Sequence, residues 1–561
     1  MIALHIGIDV GGTFTDGVLL DGGQVIRTTK IATDHNDLKG TLMEALDVLI
    51  SGAKPQSVER LVLSTTLITN TIATDSGEPT GLMVIPGPGM LVSDLGLPGY
   101  AEVLSGAVDF RGRITEPLND LEIAEAVKRA DEQGIRTMAV VSKFSGRNPE
   151  LELEVARKVQ TLCPQMKTVI GSSVAGGLNF PRRVVTTYYT AMTISLWQQF
   201  TQALEDAVKA RGIVCPISVL KADGGIIDLA SSLAQPCETI FSGPAASAMG
   251  AIAMVNPTGP AVVVDIGGTT TDLALILDGE PLLASRGARI LGRYSQIHSV
   301  AVSSLPLGGD SLVALDKSRE VVVGPKRVGS AACYGGSNPT PTDAYNIINR
   351  GIFGNLDNSE DAFRELALAC NLSLSEIAAE TLRVLVGGIY DGILTMFRNW
   401  EEEPAYKVWE IVNRRKIKPQ VIIGVGAAAK LAVPNLATLF AAQPILHAYT
   451  PVGNAIGAAV ARATLQLKLH VDTTTGRYNC DLDGLRGEVP RRFTNDDAVK
   501  LAEKLLITAA NLRQMEIDPE TVKWFMNEQF NVIRGWDSAG KIYDIGVKIA
   551  AGVIPEYRGA I

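Results

Sequence analysis

Cysteine and histidine are scarce in this sequence, and neither is spaced as a metal site or a disulfide framework requires. The six cysteines include no C-x-x-C pair, which favours reduced thiols. The five histidines include no H-x-H or H-E-x-x-H spacing, and no G-x-S-x-G elbow is present. These absences argue against a self-contained metalloamidase. The cysteines are Cys163, Cys215, Cys237, Cys333, Cys370 and Cys480, and the histidines are His5, His35, His298, His447 and His470.

Long apolar runs and basic stripes are also missing. No run reaches the roughly 18 apolar residues of a membrane span, and no secretory signal pattern precedes the first strand-like residues. Lys and Arg total 51 against 60 Asp and Glu, a formal charge of −9, which argues against a nucleic-acid partner. The densest basic cluster, Arg414-Arg415-Lys416 with Lys418, is interpreted as a solvated helix end. We therefore expect a soluble cytoplasmic protein that binds neither nucleic acid nor membrane.

One short motif occurs twice in the chain. Residues 6–16 read IGIDVGGTFTD and residues 262–272 read VVVDIGGTTTD, and the matching positions keep a constant offset. Each copy continues into an apolar stretch, an Asp-Gly pair and a second apolar stretch, which predicts a β-hairpin. Two copies of a strand, glycine loop, strand, turn and strand predict two related lobes.

The residue types of the repeat suit a phosphate-binding loop. Paired glycines let backbone N–H groups approach a phosphate without an intervening Cβ, and threonine hydroxyls add further donors. A carboxylate at a strand end suits magnesium, which usually takes one or two carboxylates plus waters and phosphate oxygens. Two loops that face one another would grip the triphosphate of ATP from both sides, the arrangement that phosphoryl transfer needs. The alternative, that each copy is only a tight turn, is weaker for two matched copies than for one.

This interpretation assigns roles to particular residues. Asp9 and Asp265 are predicted to be the catalytic carboxylates and the ligands of Mg²⁺. The predicted phosphate contacts are Gly11, Gly12, Thr13, Thr15, Gly267, Gly268, Thr269 and Thr270. Thr15 and Thr271 alternate onto the following strand, so one of them could simply pack there. Asp16 and Asp272 are expected to orient the loop threonines by hydrogen bonds.

A third glycine-containing segment, residues 419–436, reads PQVIIGVGAAAKLAVPNL. It predicts a strand from Val421 to Ile423, a glycine turn and then a helix that starts with small residues. Small side chains there would let an adenine and a ribose lie against the backbone. Such a strand-to-helix turn is common, and its position after the second copy of the repeat is what singles it out.

Two phosphate loops followed by such a segment resemble the superfamily of actin, sugar kinases and heat-shock chaperone ATPases. Within it, the chain resembles the A subunit of the hydantoinase/oxoprolinase family over roughly residues 1–465. By that resemblance Gly424, Gly426 and Ala427 contact the adenosine. The matching segments are residues 65–85, 179–191, 221–228, 241–251, 305–344 and 450–461. One departure is Asp310, which follows Gly308-Gly309 where the family often has a run of glycines before a serine.

The resemblance implies a cofactor, a substrate class and a partner. ATP with Mg²⁺ would phosphorylate a carbonyl or enolate oxygen of a cyclic amide or imide of the hydantoin, 5-oxoproline or lactam type. Ring opening would then take place with a B-type protein subunit. A ketone carboxylase subunit of the same family is one alternative. An ATPase that activates or reactivates a partner enzyme is a second, although the chain lacks a C-x-x-C cluster, and a sugar kinase is a third.

The remaining candidates are expected to be structural more often than catalytic. They are Asn70 after a Thr-rich strand, Asp310, and Asp343 as the N-cap of a helix. Ser242 is a plausible N-cap of a helix that either points its N-terminus at the cleft or simply packs closely. No general base is identified.

The expected fold is α/β, with duplicated ribonuclease-H-like lobes of the actin-like ATPase type around a central cleft. Residues 1–185 form the predicted N-terminal lobe with the first loop. Residues 186–464 form the second lobe region with the second loop and the adenosine segment, and residues 465–561 a small C-terminal α+β region. A long helix is predicted near 374–397, because apolar residues recur there at helical spacing.

Overall fold

The computed structural model describes residues 4–34, 37–402, 417–513, 515, 517–534 and 537–561. His35 and the basic cluster at 414–416 lie outside these residues. The strands are β1 Leu4–Val10, β2 Phe14–Asp21, β3 Gln24–Ala32, β4 Val58–Thr65, β5 Thr80–Ile85, β6 Tyr100–Val103, β7 Ala107–Val108, β8 Ile114–Glu116, β9 Thr137–Ser142, β10 Lys167–Ile170, β11 Ile217–Leu220, β12 Ile226–Asp228, β13 Ala261–Ile266, β14 Thr271–Leu277, β15 Glu280–Pro281, β16 Arg289–Ile290, β17 Arg293–Tyr294, β18 Val302–Leu305, β19 Ser311–Leu315, β20 Val321–Arg327, β21 Val421–Val425, β22 Gln443–Ile445, β23 Leu465–Asp472, β24 Arg477–Cys480, β25 Arg486–Glu488, β26 Val522–Arg534 and β27 Asp537–Ile549.

The helices alternate with these strands over most of the chain. They span Leu38–Ile50, Leu67–Ala73, Asp120–Glu132, Glu150–Leu162, Gly171–Val174, Phe180–Ala210, Leu229–Ser232, Ser242–Val255, Pro341–Ile348, Leu356–Cys370, Leu374–Glu401, Val433–Phe440, Gly453–Val460 and Asn495–Leu512. The predicted long helix near 374–397 extends to Glu401 and begins with a capping box at Ser373. Within the described ranges, no helix is both long enough and apolar enough to cross a bilayer.

The two copies of the repeat form the same local structure. In the first, β1 pairs antiparallel with β2 and parallel with β4, and Asp9 lies opposite Asp16. In the second, β13 pairs antiparallel with β14 and parallel with β21, and Asp265 lies opposite Asp272. The sheet orders are β12-β11-β4-β1-β2-β3 and β15-β14-β13-β21-β22, with β18 beside β14. The predicted α/β fold with duplicated lobes is confirmed.

Two helices, Ser242–Val255 and Gly453–Val460, are packed between the two sheets and are called the core helices here. They share one buried cluster with residues of both sheets, such as Val18 and Leu20 of the first and Val263 and Ile423 of the second. Strands covered on both faces are nearly continuously apolar, as β1 and β13 are. The outer faces pack against other helices, including Leu38–Ile50 on the first sheet and Leu374–Glu401 on the second.

The core helices approach each other and β1 at backbone contact. A Cβ added at Gly457 would lie 1.9 Å from the carbonyl oxygen of Ala246. One added at Gly250 would lie 2.1 Å from the oxygen of Gly453, and one at Gly7 would lie 2.0 Å from that of Ala455. Glycine at these positions is therefore what sets the distance between the lobes.

The boundaries of the predicted regions need one correction. Residue 185 lies inside the helix Phe180–Ala210, and strands β11 and β12 join the first sheet. The sheet of the first lobe therefore extends to residue 228, because a parallel strand can return to a sheet after a long insertion. Part of that insertion forms a separate parallel sheet, ordered β10-β9-β5-β6.

The predicted third region starts at residue 465, which is also the first residue of β23. It is a five-stranded antiparallel sheet, ordered β25-β24-β23-β27-β26, against which the helix Asn495–Leu512 packs. A buried polar cluster joins Thr464, the residue just before β23, to the first lobe. Asp223 accepts hydrogen bonds from Thr464 Oγ1 at 2.8 Å, from the backbone N–H of Gly225 at 2.9 Å and from Lys221 Nζ at 3.2 Å.

Replacement of Gly457 by alanine is expected to destabilise the protein, because its methyl group would overlap the carbonyl oxygen of Ala246. Overpacking of this kind costs about 1–3 kcal/mol. The matched control is Gly387→Ala, which is also in a helix but has no described atom within 4 Å of an added Cβ. That change should be neutral or stabilising, since alanine is the better helix former. Thermal unfolding of both variants tests this. A Gly457→Ala midpoint at or above that of the wild type would contradict the packing argument.

Glu238 should make stability depend on pH. Burial raises the pKa of Glu238 from 4.5 to about 7, an effect that Lys221 opposes and Asp223 reinforces. The folded state therefore holds a proton that the unfolded chain releases, so stability is lost as pH rises from about 4.5 to about 7. Glu238→Gln cannot ionise and should gain stability relative to the wild type across that window. Urea midpoints of both proteins between pH 5 and pH 8 measure the difference, and a constant difference would refute the assignment.

Candidate functional site

The two repeated loops adopt the same closed turn. The first loop, residues 11–13, is closed by a hydrogen bond from the N–H of Gly11 to the oxygen of Phe14 at 3.0 Å. The second loop, residues 267–270, is closed by one from Gly267 to Thr270, also at 3.0 Å. Gly12 and Thr13 in the first loop and Gly267 and Thr269 in the second are exposed. Both loops therefore present backbone and hydroxyl donors to solvent.

One side chain connects the carboxylates at the bases of the two loops. Asn454, in the core helix Gly453–Val460, donates from Nδ2 to Asp265 Oδ2 at 3.1 Å and to Asp9 Oδ2 at 3.4 Å. Ser64 Oγ also donates to Asp9, and Ser247 Oγ donates to Asp265 at 2.5 Å. Because one amide reaches both carboxylates, the two loops border the same cleft. The bases of the two loops therefore lie next to each other, in the arrangement that the repeat predicts.

The two carboxylates are buried, at 7% exposure for Asp9 and 9% for Asp265. Burial raises the pKa of Asp9 to about 7; the hydrogen bond from Ser64 opposes this rise, and the charges of Asp16 and Asp265 add to it. Burial also raises the pKa of Asp265, against the hydrogen bonds from Ser247 and Asn454. Both groups would be stabilised in their charged forms by a cation.

The donor set at these carboxylates fits magnesium. Mg²⁺ is usually held by one or two carboxylates together with waters and phosphate oxygens. Among the described residues, no group of three or more His, Cys, Asp or Glu side chains could enclose a metal. Asp9 and Asp265 can supply two carboxylates to such a site.

Arg327, at the end of β20, contacts the first loop directly and the second loop through Asp310, and it is not identified by the sequence motifs. Its Nη2 donates to Asp310 Oδ2 at 3.0 Å, and its Nη1 donates to Thr13 Oγ1 of the first loop at 3.4 Å. Asp310 in turn lies against the second loop, since its N–H donates to the oxygen of Gly268 at 2.8 Å. Arg327 belongs to the segment 305–344, but no local pattern distinguishes it from its neighbours.

The third glycine segment borders the second carboxylate. Gly426 has a φ of +83°, and a Cβ there would lie 2.6 Å from Asp265 Oδ1. Its N–H donates to the oxygen of Thr450 at 3.0 Å, and Ala427 beside it is exposed. Gly424 differs from expectation, because β21 continues to Val425 and Gly424 is buried within it. Only Gly426 and Ala427 of the three predicted adenosine contacts are accessible.

Four other residues of the repeats contact neighbouring strands or loops: Thr15, Asp16, Thr271 and Asp272. Thr15 is fully buried, and its hydroxyl pairs with that of Thr33 at 3.0 Å, so its side chain does not face the cleft. Asp16 binds Lys30 at 2.7 Å rather than a loop threonine. Thr271 is likewise buried and donates to the oxygen of Leu307 at 2.6 Å. Asp272 lies opposite Ser304 in the register of β14 with β18.

Two capping predictions are wrong. Asp343 is not an N-cap; Thr340 caps its helix, and Asp343 is fully buried among donors such as the N–H groups of Ala332 and Cys333. The expectation that it is structural fits this position.

Ser242 is likewise not an N-cap. Phe241 holds the cap position, while Ser242 Oγ donates to the oxygen of Thr65 at 2.9 Å. This bond fixes the start of the core helix beside the end of β4. Asn70 is near the first loop, 3.8 Å from where a Cβ on Gly12 would be.

Comparison with known proteins gives the chain a family. Residues 5–163 match the description "Hydantoinase/oxoprolinase N-terminal region", and residues 183–466 match "Hydantoinase/oxoprolinase". Caprolactamase subunit alpha of Pseudomonas jessenii is 25% identical over 477 residues, covering 79% of this chain and 68% of that protein. The matches to four curated relatives cover 68%, 63%, 52% and 63% of the relatives' own lengths. The chain thus spans about two thirds of these proteins or less.

Two solved structures share the fold over nearly the whole chain. A nucleotide-free acetone carboxylase, reported for ATP-dependent acetone carboxylation, aligns with a TM-score of 0.74 at 18% identity, covering 99% of this chain and 89% of that one. The ATP-dependent caprolactamase from Pseudomonas jessenii aligns with a TM-score of 0.71 at 18% identity, covering 98% and 88%. Both solved structures thus share the fold that contains the paired loops. Because family descriptions match residues 5–163 and 183–466, the chain belongs to the hydantoinase/oxoprolinase family.

Proposed function

We propose that this chain is the ATP-binding subunit of an enzyme that phosphorylates a cyclic amide or imide and so activates it for ring opening. The observation that carries the proposal is the contact of Asn454 with both Asp9 and Asp265 at the bases of two exposed glycine loops. The name of the caprolactamase relative supports a hydrolase of the hydantoin, 5-oxoproline or lactam type.

The loops suit the phosphate groups of ATP. The hydroxyls of the exposed Thr13 and Thr269 can donate to phosphate oxygens, and the glycines carry no side chain that would keep a phosphate from the loops. The adenosine would lie toward Gly426 and Ala427, whose small side chains leave the backbone accessible. Since a dissociative phosphoryl transfer requires mainly positioning and charge neutralisation, such a cleft can supply most of the catalysis.

Mg²⁺ would be held by Asp9 and Asp265 together with phosphate oxygens. When bound, it would neutralise the charge that develops on the transferring group. The chain's own residues do the rest. Asn454 fixes the two carboxylates relative to each other, while Ser64 and Ser247 each occupy one carboxylate oxygen and so orient the other oxygen.

Activation of the substrate would be a phosphoryl transfer to its carbonyl oxygen. The carbonyl oxygen of the substrate attacks the γ-phosphorus, the bond to the bridging oxygen of ADP breaks, and the amide proton is lost to give an O-phosphorylated imidate. Hydrolysis of the carbon–nitrogen bond and release of inorganic phosphate then consume two waters in total. We propose that a B-type protein subunit completes these steps, since the caprolactamase relative is named as one subunit of its enzyme.

A ketone carboxylase subunit is the second candidate. The likeness of the backbone to an acetone carboxylase favours it, and the phosphorylation step would be the same with an enolate oxygen as the acceptor. The two candidates differ in the substrate and in the electrophile of the second step, so substrate dependence separates them.

Asp9→Asn and Asp265→Asn are each expected to lower ATP turnover at least about 100-fold, because each removes one negative charge from the cation site. Both variants should remain folded, since the amide keeps the shape of the carboxylate and loses a buried charge. ATP hydrolysis, circular dichroism and thermal unfolding measure the two effects. The control is Asp361→Asn, whose side chain is 69% exposed and which should match the wild type. Near-normal turnover in either site variant would show that the carboxylate assignment is wrong.

ATP turnover should be stimulated by a cyclic amide or imide. The panel comprises hydantoins, 5-oxoproline, lactams and ketones with bicarbonate, each with and without proteins that co-purify with the chain. The release of ADP is measured, and the ring-opened product is detected by mass spectrometry. Stimulation by a ketone alone would replace the hydrolase proposal with the carboxylase. Stimulation by a protein without any small molecule would replace both with an activator of a partner enzyme.

A further inference from the structure

The cation of Arg327 lies between the two phosphate loops, at a place that the repeated motifs do not account for. Arg327 ends β20 and lies opposite Ser311 in the register with β19. The residues just before Ser311 pack on the second loop, where Gly309 N–H donates to Gly267 oxygen at 2.9 Å and Asp310 N–H donates to Gly268 oxygen at 2.8 Å. The hairpin of β19 and β20 therefore holds Arg327 against the second loop.

From this position Arg327 extends to the first loop. Its Nη1 is 3.4 Å from Thr13 Oγ1, and its Nη2 is 3.0 Å from Asp310 Oδ2. Thr13 is exposed to the cleft, and a Cβ on Gly268 would lie 2.6 Å from Asp310 Oδ2. One guanidinium thus spans the gap between the two loops that are proposed to hold the phosphates.

The hydrogen-bonding capacity of Arg327 is only partly used. A guanidinium has five N–H donors in a planar fork, and the two contacts above occupy two of them. Its Nε is buried and has no hydrogen-bond partner among the described residues. Nη1 and Nη2 each carry a second N–H beyond the two contacts above. Phosphate oxygens match the spacing of the fork and accept two parallel bonds.

We propose that Arg327 is a catalytic residue that contacts the phosphoryl group during its transfer, and that Asp310 positions it between the loops. This inference rests on the proposed function. The arginine contributes the charge that a phosphoryl group needs as its bond to ADP breaks, as arginine residues supplied in cis do in other phosphoryl-transfer enzymes. Asp310 keeps the guanidinium in place before the ligand arrives.

The test compares Arg327→Gln, which removes the charge and keeps the length of the side chain, with Lys326→Ala as the matched control. Lys326 is the exposed neighbour on the same strand. Turnover of ATP with the activating small molecule, and binding of a non-hydrolysable ATP analogue with Mg²⁺, are measured for each. The formation of a stable complex with ADP and aluminium fluoride, which mimics the transferring group, is measured as well.

For Arg327→Gln we expect a loss of turnover of about 1,000-fold, the lower range for arginines of this kind. The analogue should bind within about tenfold of the wild type, and the aluminium fluoride complex should be lost. Arg327→Lys should recover part of the turnover, since it restores a charge without the fork. Lys326→Ala should match the wild type in all three measurements, and thermal unfolding checks that each variant is folded.

Two results would overturn the inference. If the wild type turns over ATP and Arg327→Gln does so within about threefold, Arg327 is not catalytic and the proposed function stands. If Arg327→Gln loses the analogue and the aluminium fluoride complex to the same extent, the arginine serves binding in general and not the transfer step. A wild type that neither binds nor hydrolyses ATP under any condition of the panel refutes the proposed function itself, and the inference with it.

Discussion

The shared hydrogen bonding of Asn454 to Asp9 and Asp265 is the interaction on which the rest of the site depends. Burial of two carboxylates is unfavourable in the absence of a cation, and it raises the pKa of both Asp9 and Asp265. One amide donor relieves part of the cost and fixes the spacing of the two groups. The glycine loops and the hairpin that carries Arg327 lie around this pair of carboxylates.

The spacing is set by backbone contacts as well as by side chains. Asn454 lies in the core helix Gly453–Val460, which touches the other core helix and β1 through glycines that admit no Cβ. Ser247 lies in the other core helix and donates to Asp265. The helices that pack the lobes together therefore also carry the residues that hold the carboxylates. The packing of the core helices therefore also determines the geometry of the site, so a substitution that moves these helices would also move the residues that hold the two carboxylates.

The sequence predicts the parts of the site that are local and repeated. Asp9 and Asp265, the loops that follow them and the hairpins beyond lie where the two copies of the motif place them, because strand pairing and turns are set by neighbouring residues. The fold class follows from the same repeat. The boundaries of the lobes are harder to predict from the sequence, because β11 and β12 return to the first sheet through long-range strand pairing that no local sequence pattern indicates.

The residues that the sequence does not reveal are those whose roles depend on distant partners. Asn454 is in a recognised segment, but nothing in its neighbours indicates that it reaches two aspartates from different lobes. Arg327 becomes notable only when Thr13 and Asp310 are seen on either side of it. Conversely, Thr15 and Gly424 fit the motifs in sequence, yet both are buried. Alternation along β2 turns Thr15 into the core. Gly424 is buried because β21 continues past it to Val425.

The repeated and the unrepeated segments of the site have different roles. The duplicated units supply symmetrical features, two carboxylates and two loops, which suit a ligand whose charge must be held from both sides. The features that break the symmetry are Arg327 and Asp310 at the β19–β20 hairpin, and Gly426, which follows β21 where Thr66 follows the corresponding strand β4 of the first lobe. Since a triphosphate is itself asymmetric, with adenosine at one end and the transferred group at the other, the unrepeated segments are the parts of this site that can distinguish its two ends.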